Sequence, residues 1–233
     1  MVIRTIIFYI LLSFWTIFLG ILCLPYLVLP NQLLRSPVII WIKGIFVLLK
    51  LACGITHEVR GLKNIPNEPV VIVSKHQSAF ETFALFYYFK KCFFIHKKQL
   101  FYIPIFGQYL MKSNMVSIDR NAGPSAMRKI LFEIKKRFDD GRSIIIFPEG
   151  TRKRPGDKPN YKTGFVGIYN EVNRKILPVA VNSGLYWPKH TIFMKRGHII
   201  IDIQECVETN LNKDEVFNKV VETIETATNK IIS

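Results

Sequence analysis

Four cysteines are scattered over 233 residues, at Cys23, Cys53, Cys92 and Cys206, with no metal-ligand spacing. They imply no disulfide framework of the kind that staples small secreted domains. No G-x-S-x-G stretch occurs, which disfavours a lipase or thioesterase built on a nucleophile elbow. His57, His96, His190 and His198 stand in no H-E-x-x-H or comparable pattern, so metal-assisted hydrolysis is disfavoured as well. Acidic residues are scarce: 17 Asp and Glu against 32 Lys and Arg leave a formal charge of +15. Such an excess suits anionic partners. Nucleic acid is the weakest of them, because no DNA- or RNA-binding signature is present and the first quarter of the chain is too apolar.

Charge is missing altogether from Ile6 to Leu29, a run that holds Phe8, Leu11, Phe14, Trp15, Ile17 and Phe18. About 20 apolar residues suffice to cross a bilayer. The run is too long for a cleaved signal peptide and ends in no small-residue site; Pro25 and Pro30 end or kink its helix. A second apolar stretch, Val38 to Gly54, is interrupted by Lys43 and Lys50, which share one helical face. A cationic stripe on an apolar helix suits the headgroup plane. Two arrangements stay open: one span followed by an interfacial helix, or a helical pair dipping into one leaflet. Arg35, Lys43 and Lys50 follow the first segment and only Arg4 precedes it. If that segment spans, the imbalance places the remainder in the cytoplasm, on the inner face of the membrane. Residues 1–54 thus read as membrane-associated helices and 55–233 as a separate α/β domain.

After Gly54 the pattern changes to short alternating elements. Strands are expected at Ile55–Arg60, Val70–Val73, Cys92–His96, Met115–Ile118, Ser143–Phe147, Ile176–Val181, Thr191–Lys195 and Ile199–Ile203. Helices are expected after Phe80 and over Pro124–Phe138, Phe165–Val172 and Leu211–Ile232. Leu100–Leu110 contains Pro104 and Gly107, so any helix there is short or broken, and Lys153–Tyr161 reads as a polar flap. Alternation of this kind predicts an α/β fold with a largely parallel sheet flanked by helices. Ligands of such sheets bind beyond the carboxyl ends of the strands, where His76, Asp119–Arg120 and Glu149–Arg152 fall.

His76 sits where the apolar run Val70–Val73 breaks into Ser74 and Lys75, with Glu81 five residues on. Inside one helix that spacing would separate the two by roughly 140°. With His76 on the turn, the chain can fold back and bring carboxylate to imidazole. A neutral imidazole takes a proton from a hydroxyl near physiological pH, and a carboxylate on its other nitrogen fixes the tautomer.

Four blocks in order resemble the glycerolipid acyltransferase family, in particular its bacterial 1-acylglycerol-3-phosphate O-acyltransferases. They are His76 to Glu81, Ile118-Asp119-Arg120, Phe147-Pro148-Glu149-Gly150-Thr151-Arg152, and Leu177-Pro178-Val179 running to Gly184. Lys98-Gln99-Leu100 resembles the family's lysine-containing segment, and Tyr161-Lys162-Thr163-Gly164 its element after the flap. The one departure is Glu81, where the family usually carries aspartate.

The resemblance implies transfer of an acyl group from acyl-CoA or acyl-carrier protein to the 2-hydroxyl of lysophosphatidate, giving phosphatidate, with no cofactor and no metal. It implies His76 as general base, Glu81 as its orienting partner, and no covalent intermediate. It implies Arg120 and Arg152 as forks for the phosphate, with Lys98 adding a point charge. Glu149, with Gly150 and Thr151 beside it, would hold a glycerol hydroxyl or shape the pocket, and Pro178 and Gly184 would set its shape. Lys90, Lys91, Lys97 and Lys98 would steer an anionic donor. The rival readings are another lysophospholipid or lyso-aminolipid as acceptor, and a non-catalytic binder of anionic membrane.

Overall fold

The computed structural model describes residues 2–104, 106–118 and 123–232. Helix α1 (Val2–Leu22) and helix α2 (Arg35–Leu48), the latter prolonged by a π-helical stretch over Leu49–Cys53, pack as a hairpin. The indole N–H of Trp15 donates to the Trp41 carbonyl at 3.1 Å, and that of Trp41 donates to Thr16 Oγ1 at 3.0 Å. Gly44 permits this approach, since a Cβ there would lie 2.2 Å from Nε1 of Trp15.

The rest of the chain alternates: β1 (Ile55–Arg60), β2 (Val71–Ser74), α3 (Phe80–Tyr88), β3 (Cys92–Lys97), α4 (Phe106–Lys112), β4 (Val116–Ile118), α5 (Gly123–Asp139), β5 (Ser143–Ile146), α6 (Gly164–Val172), β6 (Ile176–Val181), β7 (Gly197–Ile203) and α7 (Lys213–Ile232). The strands form one sheet in the order β1-β7-β6-β2-β5-β3-β4. Every neighbouring pair is parallel except β6 and β7. The sheet is therefore largely parallel and helix-covered, as the alternating pattern predicts.

Side chains alternate faces along β2. Ile72 joins a core with Phe8 of α1, Ile45 of α2 and Phe80 of α3. Val71 and Val73 join the opposite core, with Ile134 of α5, Phe165 of α6 and Val220 of α7. Pro178 sits inside the central strand β6, where a missing N–H would ordinarily break a ladder. Here the β7 ladder on that side ends at Val179, and the next pairing is the isolated bridge from Ile176 to Val207.

One expected strand does not form. Thr191–Lys195 is irregular, because its backbone groups find partners other than a strand. The Met194 N–H donates to the Thr5 hydroxyl of α1 at 3.1 Å, and the Lys195 N–H donates to the Tyr186 carbonyl at 2.8 Å. The segment thus fastens the N-terminal hairpin to the domain. Tyr9 and Trp187 bond at 3.2 Å, the Tyr109 hydroxyl donates to the Gly20 carbonyl at 2.8 Å, and Arg35 reaches the Phe86 carbonyl near the end of α3 at 2.9 Å. The hairpin and the α/β part share one core.

Candidate active site

Because β2, β3, β4, β5 and β6 are mutually parallel, the segments that follow them emerge at one rim of the sheet. His76 follows β2, Lys98 follows β3, Phe147–Arg152 follows β5, and Ser183 follows β6. Asp119 and Arg120 follow β4 in sequence and lie outside the described residues. Neighbouring strands stand about 4.8 Å apart, so β3, two places from β2, sits about 10 Å away.

The chain leaves β2 at Ser74, turns through His76–Ala79 and enters α3, whose first turn carries Glu81. A carboxylate there complements the helix dipole. Its Oε1 lies 2.9 Å from His76 Nδ1 and accepts the backbone N–H groups of Gln77 and Ser78, each at 2.6 Å. Its Oε2 accepts the Ser183 hydroxyl at 2.7 Å. Glu81 is fully buried, and a buried carboxylate is tolerable only when donors surround it in this way. Since an ionised carboxylate only accepts, Nδ1 carries the proton and Nε2 keeps a lone pair. Nε2 has no hydrogen-bond partner among the described residues, and the ring remains partly exposed.

The imidazole stacks on Phe147, with ring centroids 3.9 Å apart and planes inclined by 15°. Its backbone is held as well. The His76 N–H donates to Glu149 Oε2 at 2.7 Å, and the His76 carbonyl accepts the Lys153 N–H at 2.8 Å. Glu149 is buried and turned inward, its Oε1 3.6 Å from Lys75 Nζ. Burial pushes its carboxyl above the usual range, against the opposing pull of Lys75 and the His76 N–H. Gly150 adopts φ +67°, a left-handed conformation suited to glycine, as its N–H closes a turn onto the Phe147 carbonyl at 3.0 Å.

Thr151 is exposed, and its hydroxyl accepts from Lys189 Nζ at 2.7 Å. Arg152 is half-buried next to Lys153, and its guanidinium has no ion-pair partner among the described residues. Lys98 is exposed at the head of a short turn after β3. Gly184 is tightly enclosed: a Cβ would meet Gln77 Cβ at 2.8 Å and the Pro155 ring at 3.0 Å. The stretch read as a flap is pinned at its far end, because Tyr161 is buried and bonds Glu225.

Sequence reasoning missed Phe147 as a stacking platform, Ser183 as a partner of Glu81, and the grouping of Lys75 with Glu225 and Tyr161. Lys75 carried a signal, a lysine extending an apolar strand immediately before the histidine. Glu225 carried none. Cys92 offers no nucleophile, since burial pushes its thiol up to about 12. Among the described residues no three His, Cys, Asp or Glu side chains group as a metal site.

An acyltransferase family model matches residues 56–182. The chain is 36% identical over 191 residues to the 1-acyl-sn-glycerol-3-phosphate acyltransferase of Pseudomonas aeruginosa, covering 80% of this chain and 74% of that one. It is 31% identical over 177 residues to the protein of the same name from Saccharomyces cerevisiae, covering 72% of this chain and 57% of the yeast one. Its fold matches the 1-acyl-sn-glycerophosphate (LPA) acyltransferase PlsC from Thermotoga maritima with a TM-score of 0.82 at 23% identity, over 100% of this chain and 96% of that one. From the span of the family match and the likeness to the Pseudomonas protein, the chain belongs to the acyltransferase family.

Proposed function

We propose that the protein transfers a fatty acyl group from acyl-CoA or acyl-carrier protein to the 2-hydroxyl of 1-acylglycerol-3-phosphate, forming phosphatidate. The observation that carries this reading is His76 held by Glu81 at 2.9 Å at the rim of the sheet, with Nε2 unpartnered among the described residues. In the proposed reaction Nε2 takes the hydroxyl proton as the oxygen attacks the thioester carbonyl. The tetrahedral adduct then expels the thiolate, which receives that proton from the imidazolium. A positioned base of this kind is worth roughly 10²–10⁴ in rate. Glu81 stabilises the imidazolium, and acyl transfer is direct, with no acyl-enzyme.

Arg152 would grip the phosphate oxygens through its planar fork, with Lys98 adding charge from the end of β3 and Arg120 a second guanidinium. Glu149 acts on this reading through the backbone of His76, whose N–H it holds. Gly150 and Thr151 complete the turn that leads into Arg152.

The acceptor is a membrane lipid, so the site must lie at headgroup depth. Helix α1 is tied to the α/β part near both ends, by Thr5 and by Gly20. Gly20 lies fifteen residues after Thr5, about 22 Å along the helix at 1.5 Å per residue. A helix fastened along that length cannot cross the bilayer alone. We infer that it lies along one leaflet, with Ile10, Phe14 and Ile17 of its exposed face among the acyl chains. The cytoplasmic side, where thioester donors are made, would be the side occupied.

The test is the purified protein in mixed micelles with lysophosphatidate and each thioester donor, reading phosphatidate. Product from the wild type and loss of it in His76→Ala, with vesicle binding retained, are expected. Equal turnover in His76→Ala would refute the base assignment.

A further inference from the structure

A largely buried ionic cluster lies beneath the turn that carries His76, and of its members only Glu149 has a part in the reading above. Lys75 is 3% exposed. Strand alternation sends it to the α5–α7 face, opposite the face toward which His76 turns. Its Nζ lies 2.5 Å from Glu225 Oε1 of α7, 3.6 Å from Glu149 Oε1, and 5.5 Å above the centre of the Tyr161 ring. The Tyr161 hydroxyl donates to the same Glu225 oxygen at 2.7 Å. Burial, with Glu225 alongside, pushes that hydroxyl well above the usual tyrosine range, so it stays a donor. Glu149 then returns to the turn, its Oε2 accepting the His76 N–H. An unbroken series of contacts therefore runs from the C-terminal helix to the backbone of His76.

A buried ion pair is a poor device for stability alone, since apolar residues of similar size often fold as well or better. What charged partners add is a defined geometry. The two carboxylates pull Lys75 from different elements, one following β5 and one on α7, and the lysine is one peptide bond from His76. We propose that Glu225 is a positioning residue: through Lys75 the C-terminal helix fixes the turn that aims the His76 imidazole. This rests on His76 being the base.

The test compares Glu225→Ala with Val220→Ala, which removes fully buried packing from the same helix but neither ion-pair partner of Lys75. Three quantities are read: kcat with KM for the acceptor, melting temperature, and amide hydrogen exchange over residues 74–82. In Glu225→Ala, kcat is expected to fall ~10–100-fold at nearly constant KM, the scale of a misaimed group, and exchange to quicken. Val220→Ala should lower the melting temperature while sparing both kcat and exchange. Wild-type kcat in Glu225→Ala, or equal losses in the two variants, overturns the proposal. If Glu225→Ala does not fold, Glu225→Gln takes its place, keeping an acceptor for Tyr161 but no charge for Lys75. Its kcat should fall roughly tenfold with faster exchange, and wild-type values overturn the proposal equally. An inactive His76→Ala beside an unaffected Glu225 variant would sink this inference alone, whereas an active His76→Ala would sink the base assignment first.

Discussion

The rings of His76 and Phe147 lie nearly parallel, 3.9 Å between centroids. Glu81 fixes one edge of the imidazole by a hydrogen bond, and Phe147 fixes its plane, so the ring has little freedom to swing away from a bound hydroxyl. Phe147→Ala removes the plane and leaves the edge. Its kcat should drop about tenfold to a hundredfold, as for other displaced catalytic groups, with KM for the acceptor little changed. Steady-state kinetics in micelles check this.

Glu81 serves four donors at once, from His76, Gln77, Ser78 and Ser183. Glu81→Gln keeps one carbonyl oxygen but replaces the other acceptor with an NH₂ group. The Ser183 hydroxyl can turn to accept from that NH₂, but the three N–H groups on Oε1 then meet a neutral oxygen in place of a charged one, at about 1–2 kcal/mol. Denaturant unfolding should register that loss, and turnover should fall with it, because the imidazolium loses its counter-charge.

Glu149 gives a pH signature. Its carboxyl is raised above the ordinary 4.5, chiefly by burial, so between that value and its native pKa the folded state binds more protons than the unfolded one. Stability from this group is complete below the unfolded pKa and is lost as pH rises through the folded one. Glu149→Gln removes the titration. The melting temperature of the variant relative to wild type should therefore climb as pH rises across that window. Calorimetry from pH 4 upward would show a flat difference if the carboxyl titrates normally.

The outer face of α1 should govern membrane attachment. Ile10 and Phe14 are 62% and 69% exposed, and burying each in acyl chains contributes about 1.5–3 kcal/mol. Replacing both with serine should weaken vesicle binding at least tenfold, while circular dichroism and melting stay near wild type. Unchanged flotation with vesicles would contradict the proposed seat of α1.

The sequence by itself determined the alternation of short strands and helices, because periods of two and 3.6 are local properties of the chain. It determined the pairing of His76 with Glu81 for the same reason, since five residues and a turn span the whole interaction. It also marked the two N-terminal apolar helices. Thr191–Lys195 shows where that reach ends: its alternation suits a strand, yet its backbone bonds to Thr5 and Tyr186, partners set only by how the hairpin packs. Phe147, Ser183 and Glu225 likewise reach His76, Glu81 and Lys75 only after β2 is seated between β5 and β6 and α7 has closed against the sheet. Sheet order and helix docking depend on contacts between residues far apart in the chain, which no local pattern encodes. That is why the tertiary structure alone decided what holds the histidine in place.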